Sequence, residues 1–369
     1  MSLVANIEPH DVGAEMLSPL VASTDLSLPA NVTSSAFSHD GRTCAAALGD
    51  GSVSFVNLPT DAVTIDEVLN AGLGNHKLHA FAAVAIEPFQ DGFVTAGQDG
   101  IAFNLHSQTD QPQDLESKEL IRFPGEWIEV LVVHDDAGLI GFAAGKAVAV
   151  TDGAGSMCQH MELPQTISGL TFDSTGKRIA ASHYDGVSIV NLDTGAVDLH
   201  LDWKGSHVGV SWSPCDRYIV TATQEKELHV WDLVTMADFR MGGYPRKVHQ
   251  MSWSCDGNML ACSGADVITA WSFAGAGPGG RPPVEIGYVF GGTVTSVAAH
   301  PSRALMAGGF TSGNVLIGAT GKGEAVVGRA RTDTPVSSLA WSPIGSLLAA
   351  GDTKGCLSLF AVSNDLKVS

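Results

Sequence analysis

The stretch HVGVSWSPCDRYIVTATQEKELHVWDL, residues 207–233, holds three short apolar runs separated by two turn signals. The first run stops at Ser213-Pro214-Cys215-Asp216, where Pro presets φ and Asp bonds its own backbone. YIVTAT follows, small and β-branched, and after a polar turn LHVWDL returns to close a hairpin. Outward in both directions the same unit recurs, starting at Val32, Phe81, Ile128, Ile167, Val248, Val294 and Val336, at spacings of 39 to 49 residues. Such a period marks one supersecondary unit repeated, each copy needing its neighbours to bury its faces. The first turn reads SHDG at Ser38–Gly41, SCDG at Ser254–Gly257 and SPIG at Ser342–Gly345. The second strand is rich in small residues (CAAAL, RIAAS, LLAAG), suited to packing near a crowded axis. A second turn, Asp50-Gly51, Asp99-Gly100 or Asp185-Gly186, leads into the third strand, and the variable linking segment supplies the fourth.

From about residue 32 to 363 this pattern resembles the WD-repeat family of β-propellers. Trp231-Asp232 is the single copy of the dipeptide that names the family, and the Gly-His pair that often precedes the first strand is missing. The resemblance therefore implies that most blades are held by apolar packing, without the family's Asp–His side-chain network. The expected fold is all-β: a single β-propeller of four-stranded antiparallel blades spanning residues 1–369. Eight blades are expected, with seven as the alternative, because the Ile128 unit lacks the first-turn signature and the Phe81 unit is loosely patterned. Only seven residues follow Val362, too few for a fourth strand, so a segment at about 15–30 must complete the last blade and close the ring.

Composition narrows the functional classes. Twenty Lys and Arg against 39 Asp and Glu leave a formal charge of −19, an acidic body that repels nucleic-acid phosphates and anionic membranes and favours a partner with a basic face. No run of 18 apolar residues is present, so membrane insertion is not expected. The first residues carry Glu8, Asp11 and Glu15 and no early Lys or Arg, unlike a signal peptide, and the expected location is cytoplasmic. Six cysteines lie scattered without a CxxC, which reads as free thiols, with Cys215 and Cys255 at equivalent turns of adjacent units.

Catalytic motifs fail on their physics. The glycines of AGAGPGGRPP precede Pro282 and Pro283 and another strand, where a phosphate cradle needs a helix N-terminus; they read as a flexible connector between blades. GATGKGEAVVG has Gly-Lys without a following Ser or Thr and reads as a turn into an outer strand. The Trp-Ser pairs at Ser213, Ser254 and Ser342 repeat at one turn position, which is structural.

Superposing the units places Trp127, Glu129, His207, Lys247 and His249 at the approach to first strands, and His183, Tyr184, Glu225 and Lys226 at the matching second turns. Phe310 is the one large group on the otherwise small-residue first, seventh and eighth units. Aromatic and long polar groups on contiguous blades are what a partner-binding patch needs. These ten residues are the candidate site of a non-catalytic scaffold that binds a protein or peptide partner through the rim and channel mouth, without cofactor or metal. The rival reading is a metal-binding or enzymatic propeller using His183, His207 and His249 with Glu129 or Asp185, since imidazoles from adjacent blades could converge on zinc.

Overall fold

A computed structural model describes residues 21–58, 73–107, 115–321, 323–363 and 366. The Val32 unit sets the pattern. Val32–Phe37, Thr43–Leu48, Ser52–Asn57 and Leu73–Lys77 lie side by side as an antiparallel meander. Its first turn is closed by Gly41 N donating to Ser38 O (2.9 Å), with Thr43 N bonded to Ser38 Oγ (3.0 Å). Ser213, Ser254 and Ser342 use their hydroxyls in the same way, so the repeated Ser is a turn clamp. The small residues of the second strand are buried without exception from Cys44 to Leu48.

The linking segments do supply the outer strands. The Phe81 and Ile128 units, despite their weak signatures, form complete four-stranded sheets ending in Leu115–Arg122 and Met157–Glu162. The glycine-rich stretch joins Val267–Ser272 to Val284–Tyr288 inside one sheet, and so is not a connector between blades.

The expectation of eight separate blades is corrected to seven hydrogen-bonded sheets, six with four strands and one with six. The six-stranded sheet carries the pairings of both the Ile167 and the His207 units. Arg178–Asn191 turns back at Asp185 and Gly186, both at positive φ, and Leu192 N donates to Lys177 O across the hairpin (2.9 Å). The next stretch, Val197–Trp212, pairs with that hairpin through its first half and with Tyr218–Thr223 through its second. Because residues 203–206 stay extended, the outer strand of one unit runs directly into the first strand of the next, and no break separates the sheets.

The ring closes as the sequence requires. Val21–Ser27 pairs along its whole length with Cys356–Val362, and Ser358 Oγ donates to Asp25 (2.5 Å). Part of the expected donor segment, residues 15–20, lies outside the described residues. Apolar layers lie between adjacent sheets; the seam, for example, joins Val32, Phe37 and Leu48 to Leu347, Ala349 and Leu359. Hydroxyls tie the first strands together: Thr33 Oγ1 donates to Ala83 O (2.6 Å), Thr295 Oγ1 to Val336 O (2.7 Å) and Ser337 Oγ to Val32 O (2.6 Å). This last bond stitches the final unit to the first.

Candidate partner-binding face

Approach segments and second turns form one face because backbone bonds pin them together. Gln98 N donates to Ala82 O, Gln224 N to Ser206 O and Thr311 N to Thr293 O, each at 2.9 Å. At Gly51 (φ +88) the approach to the next unit lies so close that a Cβ would stand 2.1 Å from Phe81 O, which reserves the turn for glycine. The first turns occupy the opposite ends of the same strands.

Two units keep a buried histidine network despite the missing Gly-His signature. His79 bonds Asp99 through Nδ1 (3.0 Å) and Thr95 through Nε2 (3.1 Å), with the Phe103 ring edge-on. His207 bonds Thr221 through Nδ1 (2.8 Å) and Trp203 O through Nε2 (2.9 Å). Burial pushes both imidazoles below the usual histidine range.

The ten sequence candidates divide by burial. His183, His207 and Phe310 are interior. His183 is satisfied by Tyr184 O (2.7 Å) and Ser188 Oγ (2.9 Å), and Phe310 packs in the core with Val294 and Met306. Trp127, Glu129, Tyr184, Glu225, Lys226 and His249 are exposed, and Lys247 is half-buried. Partial burial and the neighbouring Glu126 raise the Glu129 carboxyl. Among the described residues no three His, Cys, Asp or Glu side chains gather closely enough to hold a metal ion.

Two aromatic groups escaped the sequence reading. Phe81 is 62% exposed and Phe290 83%, against 56% for Trp127 and 49% for Tyr184. Phe81 looks like the start of an apolar strand, but its strand begins at Ala83. Phe290 lies four residues ahead of Val294–Ala299, and only the register of that strand puts it on the approach. An aromatic residue just before a first strand was the available signal.

The family described as "WD domain, G-beta repeat" matches residues 200–232 and 327–360. No curated protein matches the chain. Among solved structures, a crystal structure of the computationally designed Ika8 protein superposes with a TM-score of 0.72 at 16% identity, covering 91% of this chain and 98% of that one. That likeness is one of fold.

Proposed function

We propose, from the premise that the chain is a WD-repeat β-propeller, that it is a non-catalytic scaffold binding a protein or peptide partner through the face of approach segments and second turns. The observation that carries this reading is the exposure of four aromatic rings, Phe81, Trp127, Tyr184 and Phe290, on segments held in place by the ring of sheets. Large rings left in water on rigid supports are suited to anchoring a partner at little ordering cost. Glu126, Glu129 and Glu225 flank them, and with the overall charge of −19 they favour a partner with a basic face. Six unpaired cysteines suit a reducing, cytoplasmic setting.

The test is capture with intact protein as bait, followed by affinity measurement on the recovered partner. Changing Phe81, Trp127, Tyr184 and Phe290 to Ala should cost roughly 1–4 kcal/mol for each true anchor. Ile344→Ser, at an exposed first-turn position on the opposite end, should leave binding intact. Equal losses from both sets would place the contact elsewhere.

A further inference from the structure

Between the first strands lies a cavity of about 330 Å³, lined by residues including Ser34, Ser35, Glu87, Gln250, Ser338 and Trp341. Ser35 and Ser338 hydroxyls bond each other across the seam (2.9 Å), and Gln250 Oε1 accepts from Val297 N (3.2 Å). Glu87 is different. Among the described residues no donor pairs with its carboxylate, and the residue stands half-buried on the cavity wall. Burial, reinforced by the negative charge of Asp135, pushes its carboxyl up to about 7. Asp135 itself is served by His39 (2.9 Å) and by Gln90 N (3.2 Å) and lends Glu87 no proton. No Lys or Arg lines the cavity.

We propose that this cavity is a binding site for a primary alkylammonium group, held by the Glu87 carboxylate and the hydroxyls of Ser34, Ser35 and Ser338. The chemistry follows from what the walls offer. Once Glu87 is ionised, an anion meets a carboxylate with no cation beside it and is refused. A Ca²⁺ or Mg²⁺ ion needs six or more oxygen ligands, or a largely retained water shell, and a single carboxylate with neutral hydroxyls serves it poorly. An ammonium presents three donors and one charge, matching one carboxylate plus hydroxyl acceptors. This site lies within the channel and is independent of the aromatic face.

Titration calorimetry of the full chain with n-butylamine tests it, with 1-butanol and butyrate as neutral and anionic counterparts. A lysine residue capped at both ends distinguishes a partner's side chain from a free amine, and binding by either supports the site. The expected result is saturable one-site binding of the ammonium alone, weakened at least tenfold by Glu87→Gln and unchanged by Asp202→Asn, which removes an exposed charge elsewhere. Circular dichroism of Glu87→Gln should superpose on that of the unaltered chain, which separates loss of the site from loss of the fold. Absence of saturable binding, equal binding of 1-butanol, or wild-type affinity in Glu87→Gln overturns the proposal.

Discussion

His79 is buried with both ring nitrogens bonded, so its loss leaves the Thr95 hydroxyl without its partner and takes from Asp99 its side-chain bond, the backbone N–H groups of Ala80 and Ile101 remaining. His79→Ala should cost about 2–4 kcal/mol in urea unfolding, the range for leaving buried polar groups unpaired. His229 contributes to the acid limb. Burial beside Trp203 and Trp231 pushes it down to about 4, and the opposing charge of Asp238 recovers only part. As pH falls below about 6.5 the unfolded chain takes the proton first. The contribution of His229 is therefore complete above about 6.5 and lost through the window down to about 4, on the order of 3 kcal/mol. His79, His183, His207 and His300 are shifted in the same direction. His229→Gln should flatten the loss of stability between pH 6.5 and pH 4.5; an unchanged slope would assign that loss to other groups. Glu87 has the opposite sign: the folded state binds its proton first, so its ionisation weakens the fold as pH rises from about 4.5 through about 7. Glu87→Gln should raise stability at pH 8 by about 1–2 kcal/mol, discounted for water in the channel. The turn clamps were legible at this scale because Ser and Asp act on their own backbone. His79–Asp99 was not, since its partners are twenty residues apart and meet only through the pairing of strands.

At the scale of elements, Gly186 is the point where the hairpin of Arg178–Asn191 turns, at φ +139, with Leu201 O only 2.0 Å from where a Cβ would stand. Gly186→Ala therefore forces the outer strand away as well as straining the backbone. Gly125 provides the control, at φ +81 with nothing within 4 Å of a Cβ. Gly125→Ala should cost about 1 kcal/mol, the conformational penalty alone, and Gly186→Ala at least about 2 kcal/mol more. Similar costs for the two would show that the strand yields freely. The DG signature announced this turn correctly. It could not announce that residues 203–206 remain extended, because a linking segment that bends and one that continues a strand share the same mixed composition.

For the whole molecule, deleting residues 1–30 removes Val21–Ser27 and leaves the edge of Cys356–Val362 unpaired. An open edge both destabilises its sheet and templates association. The truncated chain should melt more than about 5 °C lower and sediment as aggregate; melting within a degree or two of the intact chain would make closure dispensable. Periodicity by itself determined the all-β class, the inner three strands of each unit, the turns between them and the need for an N-terminal strand, because these follow from local backbone preferences and from counting residues. Trp127 and Tyr184 were placed on the exposed face by that same alignment of units. Tertiary structure alone decided that two units share one sheet, that His183, His207 and Phe310 face inward while Phe81 and Phe290 face water, and that Glu87 stands among serines from other strands. A side chain's exposure in a ring depends on which neighbouring sheet covers it, and that neighbour lies a full repeat or more away along the chain.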